Sequence, residues 1–509
     1  MLRHFSARSR QAAAPSAKTG NVYCLSDGAI APSTHMNRVT FSFVSGGGSR
    51  RRLPAFSALL VSFALIHAVI AQQPGKAPKT IPALPYPQEI SRITFAAAGD
   101  VIPHQAVVQA ATAHKQEAAD AGKTPSDGAP ATPDSASAGN HSGWDELFAE
   151  VSSVFRRSDF GFVNLETPVA PAHSRGSRPF QFDAPLALLQ SLKANGVKIV
   201  SFANNHVFDQ GQAGFAETLG HLRDEGLLFA GSGDSAADAW KPVFTEKNGI
   251  RVGWLGMTRW LNGNRNPAKE SDPHVAFLPY TSTPGAPGLS TADALEAVKA
   301  ARAQCDFLII SIHWGIEYAP EPRPDDVQLA HSFLDAGAGL IIGHHPHVLQ
   351  AVETYLTADD RDGVILFSLG NFLTNQSSRY VHGLTPERDG EPRDSLMVTF
   401  SVIKKDYGPA GTRIELGDLG ILPVWTDNNL VSVRSGREKG VLIRPVFIDR
   451  EMPRLMERFD ELSRPGLELS PAQKLELLHV NKRLELLKRR RELLLSRTGD
   501  EFLAAPPSQ

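Results

Sequence analysis

The sequence predicts an α/β fold with a core of largely parallel strands. Short apolar runs recur along the chain and end in polar residues, as buried strands do. Amphipathic stretches of helical period lie between several of them, most closed by Gly or a polar cap. Alternation of the two kinds of segment is the pattern of strand–helix–strand units stacked in layers.

In chain order, strands are expected at residues 93–100 (ITFAAAGD), 160–167 (FGFVNLET), 197–206 (VKIVSFANNH), 250–257 (IRVGWLGM), 306–315 (DFLIISIHWG), 339–347 (GLIIGHHPH) and 363–372 (GVILFSLGNF). Helical patterns occupy 184–196, 214–226, 290–305 and 327–339. Two later runs, 395–405 and 441–449, read as strands that complete a second sheet. Residues 105–142, rich in Ala, Ser, Gly and Pro, read as a mobile surface insertion. The core domain thus runs over 93–449, and 450–509 form a helical segment and tail. Within that segment 471–497 is a periodic basic helix, with Ser470 as N-cap and Pro471 at its first position. Such a helix either packs on the domain or meets a partner or an anionic surface.

The first 71 residues read as a leader. Arg50, Arg51 and Arg52 precede an apolar stretch over 53–71, and Val69 and Ala71 are small residues placed for cleavage. Met36 is a more typical start for such a signal. Left uncleaved, the stretch is just long enough to anchor the chain in a membrane. Either way the remainder is expected outside the cytoplasm, exported to the periplasm or cell surface. A Pro-rich linker over 72–92 follows.

Composition narrows the chemistry. A formal net charge of −2 over 509 residues offers no basic excess for nucleic acid. Cys24 and Cys305 are the only cysteines, so neither a disulfide framework nor a thiolate metal cluster is expected.

In open α/β sheets functional groups gather beyond the carboxyl ends of the strands. Those ends carry Asp100, Glu166, Asn205 with His206, His313, and His345 with His347. Two carboxylates, an amide oxygen and several imidazoles make an oxygen–nitrogen donor set suited to Mn, Fe, Zn or similar divalent ions. In extended backbone residues two apart share a face, so His345 and His347 are expected to converge, with Pro346 holding the segment extended. His344 then points away, as a structural or supporting residue.

The ordered run GD…NLET…ANNHVFDQG…HWGIEY…GHHPHV…SLGNF, over 93–375, resembles the bacterial capsule-synthesis family CapA, associated with poly-γ-glutamate production. That family is in turn similar to the calcineurin-like metallophosphoesterases. The resemblance implies a four-layer αββα sandwich of two mixed sheets flanked by helices. It also implies two divalent metal ions: Asp100 and His347 on the first, Asn205, His313 and His345 on the second, Glu166 bridging both. His206 would face the substrate and protonate the leaving group, with Asp209 either orienting it or serving a helix turn.

Two departures from the phosphoesterase pattern stand out. GDVIPH sets His104 four residues after Asp100 instead of two, so His104 is expected to stay off the metal. NLE places Glu166 where Asp is usual, which shifts the bridging carboxylate and the expected substrate range. Glu317 is expected to partner an imidazole, Asn371 to fix a loop near the site, and Trp314 and Tyr318 either to line the cleft or to pack beside His313. Arg175 and Arg178 either lie on a solvated loop or meet an anionic substrate.

Three function classes are compatible with this reading. The first, and the reading adopted here, is a capsule or poly-γ-glutamate synthesis protein acting in export or attachment of an anionic polymer at the cell surface, beside a membrane-bound synthesis complex, with a metal-dependent hydrolase-like domain as its core. The second is a stand-alone exported phosphoesterase. The third is a non-catalytic accessory subunit.

Overall fold

The computed structural model describes residues 86–121, 143–281 and 288–507. The leader, most of the Pro-rich linker and residues 122–142 of the expected insertion lie outside the described residues.

The chain opens on β1 (Gln88–Val101), α1 (Gln105–Ala121), α2 (Trp144–Phe148), α3 (Ser152–Arg157), β2 (Phe160–Leu165), α4 (Leu186–Ala194) and β3 (Val197–Ser201). Next come α5 (Gly211–Asp224), β4 (Leu228–Ala230), β5 (Ser232–Gly233), α6 (Ala236–Ala239), β6 (Val243–Lys247), β7 (Ile250–Thr258) and β8 (His274–Val275). The third quarter holds α7 (Thr291–Arg302), β9 (Phe307–His313), α8 (Pro324–Asp335), β10 (Leu340–His344), β11 (Val352–Leu356), β12 (Asp362–Leu366) and β13 (Asn371–Leu373). The chain ends with β14 (Asp394–Asp406), β15 (Thr412–Asn428), α9 (Leu430–Arg434), β16 (Ile443–Phe447), α10 (Ile448–Leu462) and α11 (Pro471–Thr498).

Two large sheets form. The first has the order β16-β15-β14-β1-β2-β3-β4, with β13 added alongside the end of β1. The second has the order β11-β12-β10-β9-β7-β6. Both are mixed: in the first, parallel β1 to β4 run to one edge and antiparallel β14, β15 and β16 fill the other side, whereas in the second a parallel centre of β7, β9, β10 and β12 has an antiparallel strand at each edge.

Period-two side-chain alternation decides which layer each residue joins. Phe95 and Ala97 of β1 face the second sheet and share a core with Trp254, Ile309, Ile342 and Leu366. Ala96 and Ala98 face the other way, into a core with Val107 of α1, Leu188 of α4 and Phe215 of α5. On the far side of the second sheet, Leu308 and Ile310 pack under Val298 of α7 and Phe333 of α8. Helices, sheet, sheet, helices: the expected four-layer sandwich is present. Trp254 sits between the layers, its ring 5.0 Å from Phe162 and 5.6 Å from Phe95.

Three local expectations need correcting. Residues 105–121 are helix, not loop; their alanines are good helix formers, and Val107, Ala110 and Ala111 supply a buried stripe. The late strands do not complete a sheet of their own. β14 pairs with β1 along almost its whole length, Phe95 opposite Phe400. Strand β15 was not anticipated, because Gly417, Gly420 and Pro423 break its pattern; a bulge at its register shift absorbs Asp418 at φ 52°.

The basic C-terminal helix docks on its own domain. Ser470 and Gln473 form a reciprocal capping box at its start. Arg490, fully buried, pairs with Asp394 of β14 and donates to the Glu387 carbonyl at 2.9 Å. Arg483 makes a two-pronged contact with Asp427 of β15 at 3.0 and 2.9 Å. Among the described residues no helix is long and apolar enough to cross a membrane.

Arg490→Ala strands the buried Asp394 carboxylate, and a loss of about 3–5 kcal/mol in unfolding free energy is expected. Urea titration of the variant beside wild type measures it. A change under about 1 kcal/mol would show that the helix contributes little to the fold.

Candidate metal centre

The carboxyl ends of β1, β2, β3, β9 and β10 meet at one rim of the sandwich, and the polar residues there converge. Asp100 sits where β1 passes β13. A Cβ on the preceding Gly99 would lie 1.9 Å from the Gly370 carbonyl oxygen, so only glycine permits this approach. Asp100 is fully buried. Its Oδ1 accepts from Asn164 Nδ2 at 2.8 Å and lies 3.1 Å from His344 Nδ1. Its Oδ2 lies 3.3 Å from His347 Nδ1 and 3.4 Å from the His345 backbone N–H.

Glu166 follows β2 and is buried as completely as Asp100. Its Oε2 lies 3.4 Å from Asn164 Nδ2, but its Oε1 has no hydrogen-bond partner among the described residues. Around that oxygen stand three imidazole Nε2 atoms, of His313 at 3.7 Å, His347 at 3.8 Å and His206 at 3.9 Å. These separations are too long for hydrogen bonds. A buried carboxyl oxygen without a partner, ringed by imidazole nitrogens just out of reach, is what a cation would complete. His345 Nδ1 is likewise buried without a partner.

Donor atoms within 4.8 Å of one another fall into groups that could hold a metal ion: Asp100, Glu166 and His347; Glu166, His313 and His345; and Glu317, His345 and His347. The first two share Glu166. Asn205 joins the second through its Oδ1, 2.8 Å from His313 Nε2, while its Nδ2 donates to Asn262 Oδ1 at 3.0 Å. His206 stands apart from these groups. Its Nδ1 lies 2.8 Å from Asp209 Oδ2, and that oxygen also accepts from the Phe182 backbone N–H at 2.7 Å. Asp209 therefore orients His206.

His345 and His347 converge, but not by the expected route. Strand β10 ends at His344, and the two residues adopt φ of 98° and 58°, so the segment is not extended. Positive φ at non-glycine residues is costly and clusters at functional sites. Here the turn is pinned: the Tyr318 N–H donates to the Pro346 carbonyl at 2.7 Å, and His347 Nδ1 lies 3.0 Å from Asn371 Oδ1. Asn371 is itself fixed, its Nδ2 donating to the Pro392 carbonyl at 2.9 Å. His344, on the last rung of β10, reaches Asp100 and supports it. His104 is in none of the three groups; its Nδ1 lies 3.1 Å from the Ile102 carbonyl and its ring packs edge-on against Phe182. Tyr318 is half exposed with its ring 6.0 Å from His347, whereas Trp314 is buried against Phe367.

Two residues carry more than the sequence reading gave them. Glu317 was expected only to partner an imidazole, yet its carboxylate groups with His345 and His347. Asn164 was missed. It links Asp100 and Glu166, and Asn204 Nδ2 holds its own oxygen at 3.4 Å. The available signal was its position two residues before Glu166, on the same side of an extended segment.

Electrostatics separates the two carboxylates. Burial pushes Asp100 up, but hydrogen bonds and charge from His344 and His347 outweigh it and hold the group well below the usual carboxylate range. Burial, followed by the charges of Asp100 and Glu317, holds Glu166 well above that range. Burial, reinforced by neighbouring imidazoles, keeps His313 neutral to well below its ordinary value and pushes His345 down to about 3. His313 and His345 thus present neutral imidazoles, the form that ligates metals.

Residues 94–376 match the family described as bacterial capsule synthesis protein PGA_cap. The PGA biosynthesis protein CapA of Bacillus subtilis is 32% identical over 290 residues, which cover 56% of this chain and 69% of that protein. The capsule biosynthesis protein CapA of Bacillus anthracis is 30% identical over 241 residues, 47% of this chain and 56% of that protein. A probable polyglutamine synthesis accessory protein of Mycobacterium tuberculosis is 25% identical over 250 residues, covering 45% and 59%. Every residue of the three metal-compatible groups falls inside the family match.

Two outcomes are expected from this geometry. Asn164→Ala removes the shared amide and should weaken metal affinity about 10- to 100-fold, read by competition with a chromophoric chelator; an unchanged affinity would mean the carboxylates hold themselves. Ion uptake must expel the proton that Glu166 retains above its ordinary value of 4.5. Affinity therefore falls as pH drops through the elevated Glu166 value, and calorimetry in buffers of different ionisation enthalpy should register proton release. Glu166→Gln should register none.

Proposed function

We propose, from the premise that this chain belongs to the bacterial capsule synthesis family PGA_cap, that it acts outside the cytoplasm in making a capsule polymer of the poly-γ-glutamate kind, through a metal-dependent, phosphoesterase-like hydrolase centre. The observation that carries the reading is the Glu166 carboxylate: one oxygen without a partner, common to two groups of potential ligands. Asp100 and His347 would hold one divalent ion, and Asn205, His313 and His345 a second, with Glu166 on both. Two such ions supply an activated water and neutralise the charge of a phosphoryl group.

The remaining chemistry belongs to the chain. His206 is aimed by Asp209, so its Nε2 faces the Glu166 side of the cavity, 3.9 Å from Oε1. From there it can deliver a proton to a departing oxygen. Phe182, with its ring 4.4 Å from that of His206, shields the pair from water on one side. The arginines and apolar stretch within residues 50–71 support export, either as a cleaved signal or as an anchor beside a membrane-bound synthesis complex. An anionic polymer or a phosphoester intermediate in its assembly is the substrate class.

The test is metal content and ester hydrolysis of the purified protein, wild type beside His345→Ala, Glu166→Ala and His206→Ala. About two ions per chain are expected in wild type, both weakened in Glu166→Ala. Hydrolysis of a phosphodiester or phosphomonoester should need the metal. His206→Ala should keep its metal and lose about 10²–10⁴-fold in kcat. Metal without ester hydrolysis would move the reaction to another bond, such as an amide in the polymer. Wild type that binds neither Mn nor Zn after reconstitution would leave a binding subunit with no hydrolase role.

A further inference from the structure

Beside the His206 end of the centre lies a second concavity of about 270 Å³, lined by Arg175, Phe208, Gly211, Asn264 and Arg265 among others. Its lining connects to the centre through the chain at two points. Phe208 and Gly211 flank Asp209, the residue that aims His206. Asn264 and Arg265 follow Asn262, whose side chain accepts from Asn205.

The charge in this cavity is unbalanced. Arg175 and Arg265, both solvent-exposed, line it and no carboxylate does. Among the described residues neither arginine side chain makes an ion pair or hydrogen bond, although most arginines around the sheets do. Arg175 is nevertheless held in place. Its strap is tied to α5 by the Ala172 and His173 N–H groups donating to Glu217 at 2.8 and 3.0 Å. The Arg175 N–H donates to the Gln210 side chain, and the Phe182 N–H closes the strap onto Asp209. The guanidinium rests against Gly211: a Cβ there would come within 2.5 Å of its Nη2, and φ of 72° already favours glycine. An arginine fixed in backbone, packed on a glycine and left without a counter-charge is prepared for an anion from outside.

We infer that the Arg175–Arg265 cavity is a subsite for a second anionic group of the substrate, a carboxylate or a phosphate, on the portion that leaves from the His206 side. Its position on the leaving side rests on the hydrolase reading above; its capacity to bind an anion does not. The substrate accordingly continues past the reacting bond and carries charge there. A small neutral leaving group forgoes this contact, so generic esters are expected to be hydrolysed, but more slowly than esters whose leaving portion carries an anionic group.

The test is binding to metal-free protein, so that it stands whether or not the centre hydrolyses anything. Triglutamate, triglutamine and tripolyphosphate are titrated calorimetrically at low ionic strength against wild type, the double variant Arg175→Ala/Arg265→Ala, Arg178→Ala and His345→Ala. Triglutamate or tripolyphosphate should bind wild type, and the double variant should lose about tenfold or more in affinity. Whichever probe shows that loss identifies the group as carboxylate, phosphate or either. His345→Ala and Arg178→Ala, which alter the metal centre and the strap outside the cavity, should bind as wild type does. Equal loss in Arg178→Ala, a double variant unchanged toward both anionic probes, or neither anionic probe binding wild type more tightly than triglutamine would each overturn the assignment.

Discussion

Two carboxylates without access to water, Asp100 and Glu166, stand at the ends of neighbouring parallel strands. Burying one anion costs several kcal/mol, and burying a second beside it adds repulsion. Most of what surrounds them answers that cost. Asn164 donates toward both, and His344 and the His345 backbone turn toward Asp100. For Asp100 the compensation is complete within the chain. For Glu166 it is not: one oxygen is left over, facing imidazole nitrogens beyond hydrogen-bond reach, and burial keeps one of those rings, His313, neutral. The fold is thus finished on one side of the pair and open on the other, and a cation is the natural remainder.

The sandwich makes this possible because both sheets present the carboxyl ends of parallel strands at the same rim. Asp100 and Glu166 come from the first sheet, while His313 and the turn after His344 come from the second. The packing of Phe95 and Phe162 against Trp254 sets the distance between the two contributions. Inter-sheet packing and ligand geometry are one problem here, since a shift of one layer would move one half of the donor set away from the other.

Much of this was legible in the sequence, and for identifiable reasons. Buried parallel strands are apolar runs that stop abruptly at polar residues, so both the layers and the donors Asp100, Glu166 and His313 could be read from where those runs end. What stayed hidden was conformation and support. The convergence of His345 and His347 was expected from extended backbone, whereas a left-handed turn brings them together, and nothing in GHHPH announces positive φ at histidine. Asn164 was hidden because a lone strand amide does not show which carboxylates it will bridge. Strand β15 escaped because its glycines and proline mimic a loop, and only the neighbouring β14 and β16 hold it in the sheet. The helix over 105–121 escaped because alanine serves helices and surface loops alike.

The anchorage of His347 has a consequence for timing. Asn371 steadies the imidazole and is held by the Pro392 carbonyl; the short 3-10 turn containing Pro392 is gripped by Arg490 through Glu387 and Asp394. Arg490 lies near the far end of the chain, well past the last residue of the family match. A polypeptide made from its amino end delivers Asp100 well before this clasp. Until Arg490 has been made and docked, His347 lacks part of the support that aims it. The groups that could hold a metal are therefore not fully positioned until Arg490 has docked on the domain.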